Sequence, residues 1–94
     1  MSKPPLYSMD RCLLCGSPYV VTHHIFPGYG RRMVSDREGC VVALCPLHHN
    51  MSNNSVHMDR ALDLELRRDA QRKWEHREGK GHEDFIKVFG ESYL

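Results

Sequence analysis

Long apolar runs are missing from this 94-residue chain, whose longest are only a few residues. A membrane-crossing helix needs about 20, so no membrane role is expected. An excess of one charge is missing as well: 13 Lys and Arg against 12 Asp and Glu leave +1. That excludes a globally basic nucleic-acid coat and equally an acidic tail protein. Large apolar side chains are scarce, with Leu, Ile, Val and Phe just over a fifth of the chain. This sits near the lower bound for a packed globule, and so small a core is usually held by disulfides, a metal or a partner. The opening Met-Ser-Lys-Pro-Pro-Leu-Tyr lacks the apolar segment of a secretory signal. A cytoplasmic location is expected, where thiols stay reduced and paired cysteines serve metals more often than disulfides.

Metal-ligating side chains are abundant instead: four Cys and seven His in one domain, residues 1–94. Residues 1–10 are a Pro-containing lead-in, expected to be poorly ordered at its start. Residues 11–58 carry the ligand-rich part. Within it, 19–26 is β-branched and aromatic and predicts a strand, broken by Pro27-Gly28-Tyr29-Gly30. Residues 28–39 read as a polar loop with Arg31, Arg32 and Arg37, and 40–44 as a second strand. Pro46 suits the first position of a short helix, and the polar stretch with Asn53 and Asn54 interrupts it. Residues 59–94 are helical. Asp59 is an N-cap, Leu62, Leu66, Ala70 and Trp74 form one apolar stripe, and Gly79-Lys80-Gly81 ends the helix. Glu83 and Asp84 favour another helix start, with Phe85, Ile86 and Phe89 inward and Gly90 as C-cap. The expected fold class is α+β: a small, zinc-stapled domain with two C-terminal helices.

Cys12-Leu-Leu-Cys15-Gly16 has the spacing of a zinc knuckle, in which one tight turn aims two sulfurs at a tetrahedral ion. Cys45-Pro-Leu-His48 repeats that spacing with one imidazole replacing a thiolate. Together they predict a Cys₃His structural zinc site, and a hairpin fits between the knuckles. A Cys₄ set using Cys40 is the alternative. Cys40 and Cys45 bracket a predicted strand, however, and residues five apart on a strand point to opposite faces. Cys40 is therefore expected to be a packed thiol.

His23, His24, His49 and His57 remain after that assignment. Adjacent strand residues face opposite sides, so His23 and His24 would have different jobs. Four spare imidazoles suggest a second, more open metal site, and three ligands with an open position is the layout of a catalytic metal. Arg31 and Arg32, near the His pair, could clamp phosphate oxygens; a solvated pair of loop cations is equally open.

The order Cys-x-x-Cys, His-His-Ile, Gly-rich loop, Leu-Cys-x-x-His-His and a later His resembles the HNH endonucleases. These are His-Me finger, or ββα-metal, nucleases, here of the small phage or prophage type with a treble-clef zinc. Leu44-Cys-Pro-Leu-His-His-Asn50 with Val56-His57 is similar to phage recombination nucleases that depend on RecA. The resemblance implies a DNA endonuclease that hydrolyses phosphodiester bonds in phage DNA processing, recombination or packaging. DNA, and phage recombination or packaging proteins, would be its partners, and a bacterial host its location. It implies that His24 is the general base and that His23, His49 and His57 hold a second divalent cation (Mg²⁺, Mn²⁺, Ni²⁺ or Zn²⁺). The family often spaces the last two ligands four apart, whereas eight residues separate them here, so the intervening loop would have to bulge. Cys40 stands where the family carries an Asn that orients the base; Asn50 is available as a substitute. A non-catalytic zinc module that binds nucleic acid or a protein is the alternative function.

Overall fold

The computed structural model describes residues 2–26, 30–51 and 55–94. The breaks expected at Pro27-Gly28-Tyr29 and at Asn53-Asn54 lie outside the described residues, as does the side chain of Asn50. The chain is a small α+β fold with two strands and three α-helices among the described residues: β1 (Val21–His24), α1 (Arg31–Glu38), β2 (Val41–Leu44), α2 (Arg60–Glu78) and α3 (His82–Phe89). A π-helical turn over Leu47–Met51 follows β2.

β1 and β2 pair antiparallel, with His23 opposite Val42 and His24 opposite Val41. All four residues of β2 are buried, whereas β1 is exposed over its first half. Both strands are shorter than expected: Tyr19, 80% exposed, and Val20 precede the ladder. Val20 packs against the core without pairing, and β propensity alone does not extend the ladder to the exposed Tyr19.

The expected loop at 28–39 is the main correction, because α1 occupies most of it. Its sequence, Arg-Arg-Met-Val-Ser-Asp-Arg-Glu, has no apolar stripe, so periodicity does not reveal it. Tertiary contacts hold it instead. Ser35 is fully buried, and its hydroxyl donates to the Phe26 carbonyl (3.0 Å) and accepts from the Phe26 N–H (3.2 Å). Gly39 ends the helix at φ 76°, and its N–H returns to the Asp36 and Ser35 carbonyls. A Cβ there would collide with the Pro4 carbonyl, so only Gly satisfies both the left-handed turn and the close crossing.

That crossing brings in the lead-in, which is docked. Lys3 N–H donates to the Arg37 carbonyl (2.8 Å) and Leu6 N–H to that of Gly39 (2.9 Å). The Lys3 ammonium reaches Glu38 and Glu78, each at 2.6 Å, and the Tyr7 hydroxyl donates to Asp69.

Asp59 caps α2 through its carboxylate, which accepts from the Leu62 N–H (3.1 Å), and Gly79 in the left-handed region closes it. Leu66, Ala70 and Trp74 are buried, and Leu62 packs at the edge of the core. Phe85 and Phe89 of α3 stack at 4.4 Å between ring centroids. Phe26 and Trp74 meet Phe85 at 5.3 and 5.5 Å. One aromatic cluster thus ties the end of β1 to both long-range helices, each ring burying a large apolar area. Ile86, expected inward, is 42% exposed. It follows Phe85 directly, and an eight-residue helix buries only one stripe.

Candidate metal centres

Two groups of ligand-type side chains converge. In the first, one donor atom each from Cys12, Cys15, Cys45 and His48 lies within 4.8 Å of the others. The Cys12–Gly16 turn closes through a Gly16 N–H to Cys12 carbonyl bond of 2.8 Å. The Leu13 N–H, which donates to the Ala43 carbonyl (3.0 Å), fixes that turn to β2. Cys45 Sγ lies 3.2 Å from His48 Nδ1 and 3.6 Å from Cys15 Sγ, and Cys12 Sγ lies 3.7 Å from His48 Nδ1. Burial would raise the Cys12 thiol, but backbone hydrogen bonds from Cys45, Leu14 and Cys15 outweigh it and bring it down to about 6. A thiol poised to ionise suits a metal ligand, since the thiolate is the ligand form. Three sulfurs and one imidazole form a donor set suited to zinc, and no disulfide competes: all four cysteines are free.

Cys40 belongs to neither group. It is fully buried, and burial in apolar surroundings pushes its thiol up to about 12.

The second group is His23, His49 and His57, again with donor atoms within 4.8 Å of one another. The π-helical turn explains how neighbours serve different centres. Adjacent residues on a helical turn point in different directions, so His48 turns to the cysteines and His49 to the imidazoles. The eight-residue gap closes through the backbone. Val56 N–H donates to the His48 carbonyl (2.8 Å) and His57 N–H to that of His49 (3.3 Å). His57 Nε2 then sits 3.1 Å from His49 Nε2.

His23 is 4% exposed, and its Nε2 is buried with no hydrogen-bond partner. Burial, then the neighbouring His49, His57 and His24 rings and Arg67, push it down to about 3. Burial and His57 lower His49 too. Imidazoles held neutral at physiological pH are ready ligands. An orphaned buried nitrogen costs about 1–3 kcal/mol unless something fills its lone pair. The three imidazoles therefore fit a divalent ion.

No family model, curated protein or solved structure matches this chain.

Around the imidazoles lies a cavity of about 220 Å³ lined by Thr22, His23, His24, Arg32, His49 and His57. His24 is less buried than His23 and borders the cavity without belonging to the ligand group. Arg32 reaches the cavity, but Arg31 does not: its guanidinium turns to Glu91 at 3.3 Å. Sequence reasoning missed Asp36, whose Oδ1 lies 3.7 Å from His24 Nε2. It comes from α1, whose helical character has no periodic signal. Among the described residues, no helix is long and apolar enough to cross a membrane.

Proposed function

We propose that this chain is a metal-dependent DNA endonuclease of the HNH, ββα-metal type, acting in phage or prophage DNA processing. One observation carries the reading: the buried, unpartnered His23 Nε2 converges with His49 and His57 in a cavity that also holds His24 and Arg32. Three imidazole ligands beside a further imidazole and a cation fit hydrolysis of a phosphodiester better than a purely structural ion. The Cys₃His group then serves as structural zinc in a treble-clef arrangement.

In this mechanism His23, His49 and His57 would hold a second divalent cation, which would supply Lewis-acid polarisation of the scissile phosphate and charge neutralisation at the departing oxygen. Arg32 donates to a phosphate oxygen and orients the backbone. His24 takes the proton of the attacking water as the phosphorus–oxygen bond to the leaving sugar breaks. A net charge of +1 makes non-specific DNA affinity modest and salt-sensitive.

Plasmid nicking combined with metal counting tests this. His24→Ala should abolish cleavage yet keep fold, zinc and second ion, because a general base acts mainly on the transition state. His23→Ala and His49→Ala should lose activity together with the second ion, and His57→Ala should weaken its binding. If His24→Ala nicks as fast as wild type with Mg²⁺, Mn²⁺ or Ni²⁺, the mechanism is wrong. If the wild type cleaves under none of them, a zinc module that docks a partner becomes the better reading. An apolar groove lined by Leu13, Leu14, Leu62 and Leu66 favours that second reading.

A further inference from the structure

Asp36 reaches the site by a route that the sequence does not announce. It directly follows Ser35, the residue whose hydroxyl holds both backbone groups of Phe26. The Ser35 carbonyl in turn accepts from the Cys40 N–H (2.8 Å) and the Asp36 carbonyl from the Gly39 N–H (3.3 Å). Ser35 is thus tied to the residues that flank the two strands, Phe26 two after β1 and Cys40 one before β2. Arg32 and Asp36 are one turn apart and share a helix face. Arg32 lines the cavity, and Asp36 lies against His24, which lines it from β1.

We propose that Asp36 is the positioning residue for His24: its carboxylate holds the ring by accepting the Nε2 proton, which leaves Nδ1 as the basic nitrogen. The consequence for catalysis rests on the endonuclease reading; the effect on the ring does not. The Oδ1 to Nε2 distance of 3.7 Å is about 0.8 Å longer than a hydrogen bond. The Asp36 side chain is 65% exposed, and catalytic hydrogen bonds are often long in the absence of substrate, tightening only in the complex. A neutral imidazole has one donor and one acceptor nitrogen, so fixing the donor fixes the acceptor. The strand edge at Cys40 offers nothing for this role, because a buried thiol is a poor donor and a poor acceptor. A carboxylate from α1 supplies the acceptor from the other side.

A simple electrostatic role predicts the opposite sign. Removing a carboxylate from a surface that faces DNA strengthens phosphate binding and so should raise cleavage at limiting DNA. The positioning role predicts that Asp36→Ala lowers kcat roughly tenfold to a hundredfold, the usual cost of losing an orienting partner, with KM unchanged or lower. Zinc and second-ion content should stay at wild-type levels. Asp36→Glu should recover part of the lost kcat.

The independent readout is the ring itself. Two-bond proton–nitrogen spectra of histidine-labelled protein should show His24 protonated at Nε2 in the wild type, a mixture of tautomers in Asp36→Ala, and recovery in Asp36→Glu. Identical His24 nitrogen signals in wild type and Asp36→Ala overturn the assignment, whatever happens to kcat. If the wild type cleaves no DNA under any ion, the endonuclease reading falls. The nitrogen spectra then decide alone whether Asp36 holds His24.

Discussion

Replacing Trp74 with Ala should remove a large share of the stability of this fold. Trp74 is 1% exposed and meets Phe85 and Phe89 edge-on at 5.5 and 5.9 Å. Truncating a large aromatic in a core costs about 3–5 kcal/mol. Its indole N–H also donates to Glu38 Oε1 at 3.0 Å, and a hydrogen bond to a charged group contributes about 1.5–3 kcal/mol. The two terms overlap, since Lys3 still partners the carboxylate at 2.6 Å, so about 4 kcal/mol is the expected total. A domain of this size has only ~5–15 kcal/mol in all. Trp74→Phe separates the terms: it keeps the aromatic packing, loses the N–H, and should cost about 1.5–3 kcal/mol. Urea unfolding followed by far-ultraviolet circular dichroism measures both, with zinc held in fixed excess because ligand binding shifts apparent stability. A Trp74→Ala loss below about 1 kcal/mol would refute the claim that this aromatic cluster anchors α2 and α3 to β1.

Metal removal should be more damaging still. Stripping zinc with a strong chelator, or Cys12→Ser, should unfold the knuckle-held half, since ~10 kcal/mol or more of binding energy is folding energy in small zinc modules; unchanged circular dichroism after verified zinc loss would sink the structural role. Cys40→Ser should leave zinc content unchanged but cost about 1–3 kcal/mol, because it buries a hydroxyl without an evident partner; equal zinc loss in Cys40→Ser and Cys12→Ser would favour the Cys₄ set. Gly39→Ala should destabilise by about 1–3 kcal/mol through left-handed strain and should free the lead-in, detectable as faster amide exchange at Lys3 and Leu6. Burial raises the Glu38 carboxyl, but Lys3, Trp74 and Arg37 outweigh it and hold it below its usual 4.5. Its contribution is therefore complete above that value and fades as pH falls through the lower folded value. The acid limb of the stability curve should be shallower in Glu38→Gln, and an identical limb would count against the pairing.

Ligand spacing and local capping were legible without the fold. Two residues between Cys12 and Cys15, and between Cys45 and His48, can meet one ion because a single turn places both donors. Asp59, Gly79 and Gly90 mark helix ends because each satisfies backbone groups within its own turn. The stripe Leu66, Ala70 and Trp74 is set by helical period. Tertiary structure decided the rest. Whether α1 forms depended on Ser35 gripping Phe26 and on Pro4 crossing Gly39, contacts between residues far apart in the chain that no local period encodes. That helix brought Asp36 to His24 and turned Arg31 away from the cavity towards Glu91. The closing of the eight-residue gap between His49 and His57 likewise followed from two backbone bonds, Val56 to His48 and His57 to His49. Local rules describe what one turn or one strand can satisfy by itself; these placements rest on polar groups satisfied only when separate segments meet.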